Sequence, residues 1–330
     1  MELRQKYSEL LALPRARHPG SMFGMPLTAD RSMHLAVDEE DSPVLLIAVS
    51  PHASESPPIG LRLANILADF ALKCEISHPG GSATSGLFAV IKCRSGEDRL
   101  RTYFLRVMEG ALDDIQTPAT PRLISRLVDS LAELFRASSR PALQTSMGLW
   151  AELFLILTAA EPDILVDAWH HDPTERYDFS LGGEAVEVKS SGNRTRVHQF
   201  SFEQAWPPAG QTVLVASLFV ERAQNGRSLG QLWEEVRSLP RLNLEARLRI
   251  EEACLRALGD SWADARADAF NWELAAGSLA FYRVNDIPRV GFDQPPEVFE
   301  INFATNLGGV RAVALRNLSN RNRLFQALAA

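Results

Sequence analysis

The chain contains very little cysteine. Of its 330 residues only three are cysteines: Cys74, Cys93 and Cys254. Their spacing fits neither the ligand pairs of a zinc site nor the even set of a disulfide framework. We therefore expect a protein of a reducing compartment and predict a cytoplasmic location.

Long hydrophobic runs are also missing. No stretch approaches the ~20 apolar residues that a membrane-spanning helix requires. Residues 1–11 form a charged, amphipathic sequence that lacks the apolar centre of a signal peptide. We expect no interaction with a membrane.

Positively charged residues are fewer than negatively charged ones. The chain has 34 Lys and Arg residues against 41 Asp and Glu residues, which gives a formal net charge of −7. Because the phosphate backbone favours clustered Lys and Arg, this balance argues against a free-standing DNA-binding protein. An acidic nuclease subunit that works within a complex is consistent with it.

Residues 176–189 carry the strongest local pattern in the chain. Gly182-Gly183 predicts a two-residue hairpin turn, since both positions can adopt the positive φ that such a turn needs. This register places Asp178 opposite Glu187, with Cβ atoms roughly 4.5–5.5 Å apart on one face. Lys189 lies two residues beyond Glu187 and shares that face. Opposed carboxylates repel each other, and a divalent metal ion together with a lysine would offset that repulsion.

A solvated face of mixed charge is the alternative interpretation of this hairpin. Two features favour a functional cluster instead. The apolar residues Phe179, Leu181, Val186 and Val188 fall on the opposite face, so the charged face is coherent. The apolar run 212–220 then predicts a strand buried on both sides.

Asp163 offers a different partner for Glu187, because Pro162-Asp163 matches a literal proline–aspartate pair. We reject that pairing. Nothing in the sequence brings Asp163 opposite Glu187, whereas the glycine turn fixes Asp178 there.

Glu152 is a further candidate. It lies in a predicted helix, residues 147–160, that is apolar on almost every side and begins after Thr145 or Ser146 as cap. A carboxylate in such a helix is costly unless it is paired or binds a metal ion. The residues alone leave a structural ion pair and a metal ligand equally open.

Four polar residues after the hairpin are candidates for substrate contacts. Arg194, Arg196 and His198 alternate along an extended stretch and could meet phosphate oxygens, although a solvated edge explains them equally well. Gln204 is the fourth, but Ser201 and Gln204 also match a capping box. The pair His170-His171 is predicted to lie in a loop rather than in a metal site.

The order of elements predicts three domains. We expect a β-rich domain at 1–118, a core at 119–222 and an α+β extension at 223–330 that packs on the core. The expected strands are 33–37, 43–49, 71–77, 87–93, 100–107, 279–284, 298–303 and 310–315, and the expected helices outside the site are 121–137, 229–239 and 244–258.

The ordered motifs resemble the PD-(D/E)XK nuclease superfamily. They are most similar to the PD-(D/E)XK motif proteins of bacterial restriction-like phage-defence operons. The resemblance rests on residues 148–153, Trp169, Asp178-Phe179, Glu187-Val188-Lys189 and 196–204. It covers the middle of the chain well and the two ends loosely.

This resemblance implies a fold and an activity. The fold would be α/β (α+β overall), with a restriction-endonuclease-like core whose mixed central sheet is flanked by helices. The activity would be Mg²⁺-dependent cleavage of DNA, because a carboxylate-bound Mg²⁺ activates water and polarises the phosphate; Mn²⁺ could substitute. The implied metal ligands are Asp178, Glu187, Glu152 and the backbone carbonyl of Val188, with Lys189 as a catalytic residue.

The resemblance also implies partners. These are DNA, and ATPase and methyltransferase subunits encoded in the same operon; a homodimer is a further option. A catalytically silent nucleic-acid-binding or scaffolding subunit that keeps the nuclease fold is the rival expectation.

Overall fold

The chain folds into two compact units, Met1–Arg136 and Ala137–Ala330. The computed structural model describes residues 3–15, 18, 20–50, 58–138, 140–170, 175–291, 293, 295, 297–318 and 323–329. No helix in these ranges combines the length and the apolar character that crossing a membrane would take.

The first unit is built on one six-stranded sheet. Its strands are β1 (Phe23–Pro26), β2 (Met33–Val37), β3 (Pro43–Ala48), β4 (Leu61–Arg62), β5 (Ile66–Ser77) and β6 (Ala83–Cys93), and its helices are α1 (Leu3–Ala12), α2 (Asp98–Leu112) and α3 (Pro121–Ala137). The strand order is β1-β2-β3-β6-β5-β4, and β1 also pairs with β5. The unit therefore combines one sheet with three helices.

The expected strand 100–107 is wrong, because these residues lie within α2. Leu100, Phe104, Val107 and Ala111 are buried at intervals of three and four residues, which is the period of a helix rather than of a strand. The β-branched and aromatic residues of this stretch favour a strand when they are considered locally. Packing of the helical stripe overrides that preference.

The second unit contains eight helices and eight strands among the residues described. The helices are α4 (Ser146–Thr158), α5 (Pro162–Ala168), α6 (Phe202–Ala205), α7 (Leu229–Arg237), α8 (Leu244–Leu258), α9 (Trp262–Ala265), α10 (Trp272–Ser278) and α11 (Arg323–Leu328). The strands are β7 (Phe179–Leu181), β8 (Glu184–Ser191), β9 (Val197–Ser201), β10 (Thr212–Phe219), β11 (Arg222–Ser228), β12 (Ala269–Phe270), β13 (Ala280–Arg283) and β14 (Asn302–Asn306).

The central sheet of this unit is mixed, and it confirms the predicted fold class. Its strand order is β13-β10-β8-β7. β10 runs parallel to β8, from Thr212 opposite Glu184 to Phe219 opposite Ser191, while β7 and β13 are antiparallel to their neighbours. Helix α4 packs against β8 and α10 against β10.

The C-terminal third of the chain belongs to this same unit and not to a separate domain. β13 completes the central sheet, and β14 pairs with β9 immediately after the hairpin. These pairings cross the boundary expected at 222, and the observed division lies after Arg136 rather than at the expected 118. A domain boundary cannot be placed where distant strands pair across it.

Two expected C-terminal strands also differ from the structure. The strand expected at 298–303 is found at Asn302–Asn306. The strand expected at 310–315 is reduced to one bridge between Val313 and Phe281, followed by a 3₁₀ turn at Leu315–Asn317. His170 lies outside helix and strand as expected, whereas His171 is outside the described residues.

We predict that Gly182→Val destabilises the second unit by about 1–2 kcal/mol, because Gly182 has φ +59 and a β-branched side chain is strained there. No atom lies within 4 Å of an added Cβ, so the cost comes from the backbone alone. Gly182→Asn should cost less, since Asn tolerates this conformation. Urea unfolding followed by tryptophan fluorescence measures this, because all six tryptophans lie in the second unit. Equal stability of the Val and Asn variants would contradict the strain argument.

Candidate active site

The Gly182-Gly183 turn sets the geometry of the site. Both glycines have positive φ, +59 and +82, and the hairpin pairs Phe179 with Val186 and Leu181 with Glu184. This is the predicted register, and it brings Asp178, one residue before β7, alongside β8. The Oδ2 atom of Asp178 accepts a hydrogen bond of 2.7 Å from the Val188 N–H. Asp178 and the Glu187-Val188-Lys189 segment are therefore in direct contact.

Glu187 is buried, with only 4% of its surface exposed. Its Oε1 atom lies 2.6 Å from the Lys189 ammonium and accepts a 2.8 Å hydrogen bond from Gln204 Nε2. Its Oε2 atom is buried and has no hydrogen-bond partner within the described residues. A solvated hairpin face is therefore excluded, and one strong acceptor of the site is left unsatisfied.

Lys189 is held on the same side of the hairpin as Glu187. Besides the ion pair with Glu187, its Nζ atom donates to Gln204 Oε1 at 3.3 Å and lies 5.0 Å from the centre of the Phe200 ring. β9 supplies Phe200, which is fully buried. The ammonium group is thus enclosed by a carboxylate, an amide and an aromatic face.

Gln204 combines two roles. It is the third residue of α6, and the predicted capping box with Ser201 is confirmed by hydrogen bonds in both directions, 3.1 and 3.2 Å long. The same side chain contacts both Glu187 and Lys189. The start of α6 therefore fixes an amide at the centre of the acidic cluster.

Glu152 reaches the cluster from α4. This helix is apolar on nearly every side and begins with Thr145 as its N-cap, as expected. Glu152 is 3% exposed. Its Oε1 accepts a hydrogen bond from Gln144 Nε2, and its Oε2 accepts one of 2.8 Å from Trp169 Nε1.

Burial and neighbouring charge raise the pKa of two of the three carboxylates, Glu152 and Asp178. Burial raises the pKa of Glu152 to about 7; hydrogen bonds from Gln144 and Trp169 oppose this shift, and the Glu187 carboxylate adds to it. Burial, and then the charges of Glu187 and Glu152, raise the pKa of Asp178 well above its usual range. The surroundings therefore disfavour the charged forms of these carboxylates unless a proton or a cation offsets the charge.

The donor set fits a hard cation such as Mg²⁺ in chemistry, because carboxylate oxygens are the ligands that such ions prefer. The unsatisfied Glu187 Oε2 points to the same conclusion. No group of three or more His, Cys, Asp or Glu side chains in the described ranges already has the spacing to hold a metal ion. Both oxygens of Glu152 are engaged by other side chains. Binding of an ion would therefore require these carboxylates to shift.

The four predicted substrate residues do not form one cluster, although Arg196 and His198 both contact the Ser217 hydroxyl. Arg194 is exposed and pairs with Glu221 through two contacts of 2.6 and 3.0 Å. Arg196 donates to the carbonyl and hydroxyl oxygens of Ser217 at 2.8 and 2.7 Å. Gln204 is the member of this set that contacts Glu187 and Lys189.

His198 is buried rather than open to a phosphate. Its Nε2 atom lies 2.8 Å from the Ser217 hydroxyl. Burial, and then the nearby Lys189 and Arg196 charges, lower its pKa to about 4. Ser217 sits opposite Lys189 in the β8–β10 ladder. His198 is therefore a neutral packing group beside the lysine.

Asp163 takes no part in these contacts. It lies in α5, and its carboxylate is 3.7 Å from Arg241. This position agrees with the choice of Asp178, and not Asp163, as the partner of Glu187.

The contacts of Gln144 and Trp169 with Glu152 are not predicted from the sequence. Trp169 belongs to the motif set, but its hydrogen bond to Glu152 spans 17 positions and leaves no periodic signal. Gln144 lies in a loop, and its residue type alone does not distinguish it from a solvated amide.

Comparison with known proteins gives one family. No curated protein and no solved structure matches the chain. The family described as "Putative PD-(D/E)XK family member (DUF4420)" matches residues 7–308, which is most of the chain and includes every residue of the cluster. The chain belongs to this PD-(D/E)XK family.

Proposed function

We propose that the protein is a divalent-metal-dependent nuclease that hydrolyses phosphodiester bonds of DNA. Membership of the PD-(D/E)XK family indicates a nuclease-type function. The observation that carries the proposal is the state of Glu187, whose Oε1 pairs with Lys189 while its Oε2 is buried without a partner. An unsatisfied buried oxygen is costly in a purely structural ion pair, whereas a ligand site keeps such an oxygen available.

The metal ion would be held by Asp178, Glu187 and the Val188 carbonyl, with Glu152 as the fourth contributor. PD-(D/E)XK nucleases generally use divalent metals; Mg²⁺ is our proposal, with Mn²⁺ as a substitute. When bound, such an ion lowers the pKa of a coordinated water and offsets charge on the scissile phosphate.

Lys189 would act on the reacting phosphate. Its ammonium group is 2.6 Å from Glu187 and faces the same space as the carboxylates. A fixed cation there stabilises the negative charge that develops on phosphate oxygens and orients the attacking water. The side-chain oxygen of Gln204 accepts a hydrogen bond from Lys189, and its side-chain nitrogen donates one to Glu187. Gln204 would therefore fix the positions of the ammonium group and the carboxylate relative to each other.

The substrate and its context are further parts of the proposal. We assign DNA as substrate, and a restriction-like or phage-defence system as context, from the order of motifs in the chain. Neighbouring genes for a methyltransferase and a large ATPase would support that context. Their absence across genomes that encode this protein would count against it.

A scaffolding subunit without catalysis is the second candidate. The net charge of −7 favours it, as does the pairing of exposed arginines with carboxylates, for example Arg194 with Glu221 and Arg222 with Asp268. Such pairing leaves less positive charge for a phosphate backbone. The cleavage experiment below separates the two candidates.

We predict that Lys189→Ala lowers the rate of Mg²⁺- or Mn²⁺-dependent DNA cleavage by at least about 100-fold, because it removes the cation that faces the phosphate. DNA binding should change little. Lys92→Ala is the matched control, since Lys92 also pairs with carboxylates, Asp38 and Glu40, but lies in the first unit. Cleavage that persists unchanged in both Lys189→Ala and Asp178→Ala would refute the site assignment.

We predict that Asp178→Asn leaves the melting temperature of the metal-free protein equal or higher. The substitution removes a carboxylate whose charged form is disfavoured by its surroundings, and the Asn side-chain oxygen can still accept the Val188 N–H. Stabilisation by added Mg²⁺ should disappear in this variant, since binding raises stability only where a site exists. Thermal melts with and without Mg²⁺ measure both effects. A large loss of apo stability in Asp178→Asn would instead indicate a structural role.

We predict that the metal-free second unit loses stability as the pH rises toward and through 7. Between pH 4.5 and about 7, folded Glu152 retains a proton that the unfolded chain has released. Its contribution is therefore fully present below pH 4.5 and lost as the pH rises through 7, by up to roughly 3 kcal/mol. The raised pKa of Asp178 acts in the same direction.

Urea unfolding followed by tryptophan fluorescence at several pH values measures this dependence. Glu152→Gln should flatten it, whereas Glu75→Gln, at an exposed position of the first unit, should not. A Glu152→Gln profile with the wild-type slope would show that Glu152 does not titrate in this range.

A further inference from the structure

The Glu152 carboxylate is held by two donors that come from different parts of the second unit. Gln144 donates to Oε1 and Trp169 donates to Oε2, the latter at 2.8 Å. An indole N–H is a donor only, so it cannot accept a hydrogen bond from a protonated Glu152. The amide nitrogen of Gln144 has the same property. Both contacts therefore favour the charged form and one orientation of the carboxylate.

Trp169 is itself fixed to the hairpin. Its ring stacks on Phe179 with centres 6.5 Å apart and planes at 16°, and the two residues form an antiparallel bridge. The next residue, His170, donates its backbone N–H to the Asp178 carbonyl at 2.9 Å. The segment Trp169–His170 thus contacts two acidic residues of the site, Glu152 on α4 and Asp178 before β7.

Gln144 is fixed by helix α8. The N–H groups of Gln144 and Leu143 both donate to the Ala257 carbonyl, at 2.9 and 3.0 Å. Gly259, at the end of α8, has φ +52, and the loop backbone at Arg140–Ala142 occupies the place that its Cβ would take. A side chain at that position would displace the loop, so close packing determines where Gln144 lies.

We propose that Trp169 and Gln144 are positioning residues, which orient the Glu152 carboxylate toward the metal-binding cluster. This inference rests on the proposed nuclease function. Neither residue touches substrate or metal in the proposed arrangement. Their effect would pass through Glu152, in the way that outer partners orient the ligands of other metal sites.

The alternative is that these hydrogen bonds only satisfy a buried carboxylate. Trp150 allows the two roles to be separated. Its indole also donates to an oxygen at 2.9 Å, the Arg227 carbonyl, and its ring is also buried. Removal of the N–H from either tryptophan should cost similar stability, whereas only Trp169 should affect metal binding.

The test is calorimetric titration of the full-length protein with Mn²⁺, combined with the melting temperature of each metal-free variant. We expect Trp169→Phe to weaken Mn²⁺ binding by about 10- to 100-fold, and Trp150→Phe to leave it within about twofold. Gln144→Met tests the other oxygen and should also weaken binding. It provides a second variant if Trp169→Phe fails to fold.

A double substitution adds a readout that a general loss of stability would not change. In Glu152→Ala protein, a further Trp169→Phe change should not weaken Mn²⁺ binding, because the group that Trp169 orients is already absent. Equal Mn²⁺ affinity in wild type, Trp169→Phe and Gln144→Met would overturn the positioning role and leave the nuclease proposal intact. Absence of Mn²⁺ binding and of DNA cleavage by the wild type would overturn both.

Discussion

The ion pair between Lys189 and Glu187 is the contact on which the candidate site depends. Three carboxylates share a largely buried space, and burial, followed by the charges of neighbouring carboxylates, raises the pKa of Asp178 and Glu152. Lys189 lies 2.6 Å from Glu187 and offsets part of this repulsion in the metal-free protein. A buried pair of this kind is weak evidence for stability, because desolvation costs about as much as the attraction returns. In the proposed function, both charges are needed for the chemistry.

The central sheet fixes the strand that carries this ion pair. β8 carries Glu187 and Lys189 and lies between β7 and β10, so the strand is fixed on both edges. The parallel ladder with β10 extends over the whole of β8 and sets Ser217 beside Lys189. Residues from the end of the chain then complete the unit, since β13 pairs with β10 and β14 with β9. The site is therefore built from the whole second unit and not from a central segment alone.

Local signals account for the parts that the sequence predicts correctly. The Gly182-Gly183 turn, the register of β7 against β8, the Thr145 cap and the Ser201–Gln204 capping box each depend on neighbouring residues. Features that depend on distant partners are missed. The pairing of β14 with β9 spans about a hundred residues, and the partners of Glu152 come from a loop and a separate helix end. Residues 100–107 of helix α2 are wrongly predicted to form a strand, because their residue types favour strands although the buried residues have helical spacing.

The capping box at the start of α6 narrows the choice of residue at position 204. Either Glu or Gln normally serves at the third position of such a box, because both can reach back to the N-cap amide. Here the same side chain donates its Nε2 hydrogen to Glu187. A glutamate would keep the helix signal but would place a further carboxylate against an already crowded acidic cluster. A position that folding alone would leave free between two amino acids is thus restricted to one by the electrostatics of the site.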